Sequence, residues 1–263
     1  MSRFPIALCL LSLLWGCASL RRDTQKWVVL PASMEVGVGQ GVATNVLQQY
    51  PEYKNPQVIR YIQGLGAKIV TICDSQDVDY HFTVLDTPVV NAFAAPGGFV
   101  FITTGLLIAA ENEAEVVAVM GHEVGHVVAR HGAQRIQAQM GLSLAADLAG
   151  LSKSSPLFQD MVGLGTNLAL QGYSRENELE ADHYGALYAS RLGYDPNAEA
   201  TFFEKLKKLE KGSPGLLEAW LASHPPTAVR IQEFQKNKGE LPSQSGFLNR
   251  AEYLKAVAPL KQK

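Results

Sequence analysis

Three ionisable side chains interrupt an otherwise apolar stretch of the sequence. Residues 116–130 read VVAVMGHEVGHVVAR, with His122, Glu123 and His126 in the middle of a helix that should be buried. Burying an ionisable group without a partner costs several kcal/mol, which disfavours three unpaired core residues. The histidines stand at positions i and i+4, so both imidazoles can bind one Zn²⁺. Glu123 points away from direct ligation but can reach a water bound to that metal.

A catalytic zinc site takes a third protein ligand, and a second segment supplies candidates. Residues 174–182 read SRENELEAD and predict a helix with Ser174 as its N-cap. Glu178 suits the third ligand, and Asp182, one turn later, suits an acceptor for the outer N–H of a ligand histidine. A solvated acidic helix face is an alternative that spacing alone leaves open. His131 is interpreted as an exposed histidine at a helix end, favoured by the helix dipole.

Together these two motifs resemble the HtpX-type and prenyl-protease-related zinc metallopeptidases, which are gluzincins. Further similarity lies in residues 91–98 (NAFAAPGG), 104–107 (TGLL) and 223–226 (SHPP), and the resemblance covers most of residues 57–234. It implies that Glu178 is the third ligand of one Zn²⁺ per chain and that the chain hydrolyses peptide bonds. Within the family, the chain is most similar to the soluble periplasmic lipoprotein members.

The remaining site residues also have expected roles, that of His224 through the resemblance. Glu123 would accept the proton of the attacking water and later deliver it to the leaving amine. His224 matches a histidine able to approach the zinc, where it would fill the open position in a latent state or stabilise the oxyanion. A surface or helix-capping histidine is the alternative. Arg175 and Arg230 would orient Glu178 or the substrate.

The periodicity of the sequence predicts an α+β fold that is mostly helical. Asn55 and Pro56 begin a helix as cap and first turn, and residues 80–85 alternate in the manner of a strand. Residues 89–94 and 99–103 flank a Pro-Gly-Gly turn and predict a hairpin. We therefore expect a zincin-like metallopeptidase domain in which a small sheet packs against the buried active-site helix.

The second strand of this hairpin carries a further hypothesis. Phe99, Val100 and Phe101 would form the sheet edge to which an extended polypeptide substrate adds as an extra strand. Because strand pairing is not visible in a sequence, a strand in the core of the hairpin is the alternative.

The N-terminus has the layout of an export signal. Arg3 precedes an apolar run at residues 4–15, which is shorter than the roughly 20 residues that span a membrane. The tetrapeptide LWGC resembles the bacterial lipobox, which implies lipidation of Cys17 and an outer-membrane lipoprotein facing the periplasm. A plain signal peptide with an incidental cysteine is the alternative. The predicted domains are residues 1–16 (signal peptide), 18–34 (tether) and 35–263 (zinc metallopeptidase domain).

Composition excludes several other classes of protein. The 263 residues are 47% hydrophobic and carry 23 basic against 25 acidic side chains, for a formal net charge of −2. This is too apolar for a disordered chain and lacks the basic excess of a nucleic-acid binder. The three cysteines are too few and too scattered for a cysteine-ligated metal cluster.

The function favoured is a zinc metalloendopeptidase of the bacterial cell envelope that acts on misfolded or damaged envelope proteins. The alternative is a latent peptidase that acts mainly as a chaperone-like assembly factor for outer-membrane proteins, although the sequence shows no helical repeat as a binding platform. A catalytically inactive structural lipoprotein is disfavoured because both metal motifs are complete. The sequence does not predict an oligomeric state.

Overall fold

A computed structural model describes residue 28 and residues 30–75, 77–140, 152–210, 214–224, 228–243 and 245–262. This part of the chain is mostly helical, as the sequence predicts, and contains a small sheet. The strands are β1 (His81–Leu85), β2 (Ala92–Ala95) and β3 (Phe99–Thr103). The helices are α1 (Ala32–Gln49), α2 (Pro56–Val70), α3 (Thr104–Ala109), α4 (Glu113–Val128), α5 (His131–Met140), α6 (Pro156–Gln171), α7 (Arg175–Arg191), α8 (Ala198–Glu210), α9 (Pro214–Ser223), α10 (Ala228–Asn237) and α11 (Arg250–Ala256).

The sheet is built around β3. β1 pairs with β3 in parallel and β2 pairs with it antiparallel, which gives the strand order β1-β3-β2. The β2–β3 hairpin turns through Gly97 and Gly98, whose φ angles of 74° and 98° favour glycine. The predicted hairpin is therefore confirmed.

The prediction of a substrate-binding edge at Phe99, Val100 and Phe101 is wrong. These residues lie in the central strand, where β1 and β2 already occupy the backbone hydrogen-bonding positions on both sides. The interpretation as a strand within the core of the hairpin holds instead, because a strand paired on both sides has no free edge to offer a peptide.

Helix α4 carries the H-E-x-x-H segment and is anchored at its first residue. Glu113 accepts hydrogen bonds from the hydroxyl groups of Tyr61 and Tyr194 and from Asn249 Nδ2, the last at 2.9 Å. These partners come from α2, from the segment after α7 and from the residue before α11. The buried helix is therefore held by groups far apart in sequence.

Helices α4 and α7 approach closely because small residues line their contact. A Cβ atom on Gly185 of α7 would lie 2.8 Å from the carbonyl oxygen of Ala118. A Cβ atom on Gly125 of α4 would lie 2.7 Å from Tyr184 Cβ, nearer than real side chains come. Glycine at these positions lets the two backbones meet, which brings the acidic face of α7 over the histidines of α4.

The folded domain begins earlier than the sequence predicts. Helix α1 starts at Ala32, inside the segment assigned to the tether, and Leu30 is only 1% exposed. Val38, Val42 and Val46 follow at helical spacing and are fully buried. The end of the predicted tether is thus part of the domain, because its apolar side chains complete the core beside α6.

The predicted signal peptide (residues 1–16), Cys17 and most of the tether lie outside the described residues. Within the part of the chain that is described, no helix is both long enough and apolar enough to cross a membrane. The proposed lipid attachment therefore stays a prediction from the sequence.

The contact between α4 and α7 gives a testable prediction. We expect Gly185→Ala to lower the free energy of unfolding by about 1–3 kcal/mol, because the added methyl group forces two backbones apart. The same displacement should weaken zinc binding, since it moves the ligands of one helix away from those of the other. Urea denaturation followed by circular dichroism, together with a zinc titration, measures both effects.

Gly163→Ala in α6 is the matched control. A Cβ atom there has no neighbour within 4 Å. Replacing a glycine inside a helix by alanine should raise stability by roughly 0.5–1 kcal/mol, and zinc binding should not change. Equal effects of the two substitutions would contradict the importance of the α4–α7 contact.

Candidate metal centre

The structure brings His122 and His126 of α4 together with Glu178 of α7. The two Nε2 atoms are 3.1 Å apart, and the Glu178 carboxylate lies 3.7 Å from His122 Nε2 and 3.4 Å from His126 Nε2. Tetrahedral ligands at about 2.0–2.1 Å from a zinc ion are roughly 3.3 Å from one another. The three side chains therefore fit the ligand set of a single zinc ion.

The protonation states of these ligands also suit a metal. All three side chains are buried, and Glu178 Oε1 has no hydrogen-bond partner among the described residues. Burial holds the pKa of His126 well below its usual value, so its imidazole is neutral and offers a lone pair. Burial opposes ionisation of Glu178, but His224, His126 and His122 outweigh it and keep the pKa of this carboxyl well below its usual value.

Glu123 lies in the same pocket but does not join the ligand group. Neither of its carboxylate oxygens has a hydrogen-bond partner among the described residues, and His224 Nε2 is 3.5 Å from Oε1. Burial raises the pKa of Glu123. A buried carboxylate with a raised pKa is suited to take up and release a proton, which is the task of a general base.

The outer nitrogen of His122 faces two carboxylates. Its Nδ1 atom is 3.0 Å from Asp182 Oδ1, the acceptor expected from the sequence, and 3.2 Å from Glu199 Oε1, which the sequence analysis missed. Burial alone would lower the pKa of His122, but these carboxylates raise it well above its usual value. Burial and the charge of Asp182 raise the pKa of Glu199 to about 8. Protons and a metal therefore compete for His122.

Arg230 compensates the acidic groups behind the ligands. Its Nε donates to Asp182 Oδ2 at 2.8 Å, and its Nη1 lies 3.0 Å from Glu178 Oε2. The geometry matches the orienting role expected of Arg230. Arg175 is an exposed residue at the start of α7, and the structure gives no contact between it and Glu178 among the described residues. Its position lends no support to an orienting role.

His131 is buried, so its interpretation as an exposed residue is wrong. Helix α4 ends at Val128 and α5 begins at His131, because Arg130 between them adopts a positive φ of 55° and turns the chain back. His131 is 1% exposed, and its Nδ1 atom lies 2.9 Å from Nδ1 of His126. No local pattern in the sequence indicates the break at Arg130 that accompanies this position of His131.

One edge of β2, which no described strand pairs with, borders the candidate metal centre. His224 Nε2 is 3.2 Å from the carbonyl oxygen of Ala92, and the Tyr173 hydroxyl donates to the carbonyl oxygen of Ala94 at 3.4 Å. Both residues therefore occupy positions that an added strand would use. His224 Nδ1 also lies 3.0 Å from Glu178 Oε2, and the side chain is 1% exposed. The surface alternative for His224 is therefore wrong.

The segments that carry Tyr173 and His224 are in contact through the residues that precede them, Gly172 and Ser223. Gly172, at the end of α6, has a φ of 84°, and a Cβ atom there would lie 2.0 Å from the carbonyl oxygen of Ser223. Only glycine allows this contact. The segment that carries Tyr173 therefore rests directly on the segment that carries His224.

This geometry defines a class of protein, the metallopeptidases that carry H-E-x-x-H on one helix and a glutamate ligand on another. The family model of peptidase family M48 matches residues 54–238. The chain therefore belongs to peptidase family M48.

Three relatives illustrate the range of the family. The mitochondrial metalloendopeptidase OMA1 of Schizosaccharomyces pombe is 30% identical over 77% of this chain and 60% of its own length. The β-barrel assembly-enhancing protease of Escherichia coli is 27% identical over 81% of this chain and 45% of its own. The metalloprotease LoiP of Escherichia coli is 36% identical over 56% of this chain and 58% of its own. The chain thus spans about half the length of these relatives.

The role of Asp182 gives a second prediction. Asp182→Asn removes the charge that Arg230 pairs with and weakens the acceptor for His122 Nδ1. We expect zinc affinity to fall about 10–100-fold, the usual effect of losing such a partner. Competition with a chromophoric chelator measures this change. Asp160→Asn, a substitution at an exposed position of α6, is the control and should leave zinc affinity unaltered. If Asp182→Asn binds zinc as tightly as the unsubstituted protein, Asp182 is not a partner that supports His122.

Proposed function

We propose that the protein is a zinc-dependent endopeptidase of the bacterial cell envelope that degrades misfolded or damaged envelope proteins, with one Zn²⁺ per chain. The observation that carries the catalytic part is the position of Glu123. Its buried carboxylate lies beside the three candidate ligands with no hydrogen-bond partner among the described residues. A side chain with only a structural role would not leave two buried oxygens unsatisfied.

The mechanism follows from the groups around Glu123. A zinc ion held by His122, His126 and Glu178 would lower the pKa of a water molecule and polarise the scissile carbonyl. The Glu123 carboxylate takes the proton from the attacking water and passes it to the leaving amine. Arg230, whose Nη1 lies 3.0 Å from Glu178 Oε2, holds this carboxylate in its orientation during both steps.

The substrate chain would bind along the free edge of β2. The carbonyl oxygens of Ala92 and Ala94 face the centre, so an extended peptide could add there as a fourth strand and place its backbone beside the candidate ligands. Such binding needs Tyr173 and His224 to leave these oxygens. Recognition through the backbone suits unfolded polypeptides of varied sequence, which supports a role in quality control.

The proposed location rests on the sequence before the described domain. The signal-like residues 1–16 and Cys17 support export and a lipid anchor facing the periplasm. The name of the β-barrel assembly-enhancing protease agrees with an envelope location. The mitochondrial relative indicates that the family also works in other compartments.

The catalytic assignment is tested with Glu123→Gln. The substitution keeps the ligands, so we expect zinc content to stay at about one ion per chain. Casein digestion should fall by a factor of about 10²–10⁴, because the general base is lost. A chelator should stop digestion by the unsubstituted protein, and added zinc should restore it.

Glu204→Gln is the control for this experiment. Glu204 is an exposed residue of α8, and its substitution should change neither zinc content nor turnover. Rapid digestion of casein by a zinc-loaded Glu123→Gln protein would disprove the mechanism.

His224 favours a second candidate, a latent peptidase that acts mainly as a chaperone-like assembly factor. His224 belongs to the buried group that could hold a metal ion, together with His122, His126 and Glu178. Four protein ligands would leave no open position for a substrate. In the latent state, His224 would then hold the site closed.

His224→Ala separates the two roles of this histidine. If His224 closes the site, we expect zinc affinity to fall while casein digestion per bound zinc rises. If His224 stabilises the oxyanion, digestion should fall roughly 10²–10³-fold with zinc affinity unchanged. Chelator competition and initial rates of digestion on the same samples distinguish these outcomes.

A further inference from the structure

The second ligand histidine has a buried partner of its own. His126 Nδ1 lies 2.9 Å from His131 Nδ1, and the two rings meet edge to face with centroids 5.0 Å apart. On its other side, His131 Nε2 lies 3.2 Å from Glu180 Oε2. His126, His131 and Glu180 therefore form a continuous chain that leads away from the metal centre.

The direction of each hydrogen bond in this chain is determined by the ligand. His126 faces the centre through Nε2, so a zinc ion there leaves the proton of the neutral ring on Nδ1. His131 must then accept at Nδ1 and carry its own proton on Nε2. That N–H is the donor to Glu180. This step rests on the proposed zinc site.

We propose that His131 and Glu180 are positioning residues that fix the tautomer and ring orientation of His126. They act on His126 as Asp182 acts on His122. His131 lies on α5, whereas Glu180 and Asp182 lie on α7, so each ligand histidine has its own partner. The Tyr173 ring stacks on His126 at 4.2 Å with an interplanar angle of 21°. The His126 ring is thus held at its edge by His131 and at its face by Tyr173.

A positioning role for His131 can be distinguished from simple packing of a buried histidine. A packing role needs only the volume and shape of the ring, whereas a positioning role needs an acceptor atom beside His126 Nδ1. Asparagine has an acceptor oxygen near the place of a histidine Nδ1 but is much smaller. Phenylalanine fills the volume but cannot accept a hydrogen bond. The two substitutions therefore give opposite results under the two roles.

The experiment measures zinc affinity by chelator competition. We expect His131→Phe to lower the affinity about 10–100-fold. His131→Asn should keep the affinity within a few-fold of the unsubstituted protein, despite the cavity it creates. The reverse order, with tight binding by His131→Phe and weak binding by His131→Asn, would show that His131 only fills space and would overturn the proposal.

Glu180 is tested with a second pair of substitutions. Its side chain is 25% exposed, so changes there should not prevent folding. Glu180→Gln keeps an acceptor for His131 and should bind zinc normally, whereas Glu180→Leu should weaken binding. Glu204→Leu, at an exposed position of α8, is the control for the change in polarity. Equal zinc affinity of the Gln and Leu proteins would exclude Glu180 from the chain.

A spectroscopic measurement observes the tautomer directly. In the zinc-loaded Glu123→Gln protein, ¹⁵N NMR of the imidazole rings should show His131 neutral with its proton on Nε2. A proton on Nδ1 of His131 would contradict the proposal. If the protein bound no zinc at all, the proposed function itself would fail, and that result is distinct from zinc binding with the wrong order of the His131 variants.

Discussion

The close contact between the backbones of α4 and α7 is the constraint on which the metal centre depends. His122 and His126 lie on one helix and Glu178 on the other, so the ligand set exists only while the helices touch. Glycines remove the side chains that would keep them apart, since a Cβ atom on Gly185 would lie only 2.8 Å from the Ala118 carbonyl oxygen. Hydrogen bonds from two tyrosines and an asparagine to Glu113 hold the first residue of α4 in place.

This arrangement buries acidic groups, which costs free energy, and cationic groups beside them offset that cost. In the part of the chain that the structure describes, Glu178, Asp182 and Glu199 lie around one guanidinium, that of Arg230, and the two candidate ligand histidines. Removing one partner would leave a buried charge uncompensated, which costs more than an exposed ion pair contributes. A divalent metal on His122 would replace a proton that these carboxylates favour on the same ring, so the metal and the proton are alternative partners for one acidic cluster.

Local patterns predicted much of this centre, and long-range packing accounts for what they missed. The spacing within one helix indicated His122 and His126. For the second helix, spacing left a solvated acidic face open, and the resemblance to known metallopeptidases decided for Glu178. The parallel pairing of β1 with β3 joins segments separated in sequence, so nothing local showed that β3 is central. Glu199 lies on a helix without a motif, and only the packing of α8 against α4 brings it to His122. The turn at Arg130 likewise depends on tertiary structure.

Gly172 has a consequence for how the edge of β2 can be uncovered. The backbone of Gly172 contacts that of Ser223. Tyr173 follows Gly172 and His224 follows Ser223, so both side chains depend on the same backbone contact. We therefore expect the two segments to move together and to uncover the carbonyl oxygens of Ala92 and Ala94 in one step. The candidate ligands His122, His126 and Glu178 lie outside this unit, on α4 and α7. Uncovering the edge of β2 would thus take His224 away from the centre and leave these three side chains on their own helices.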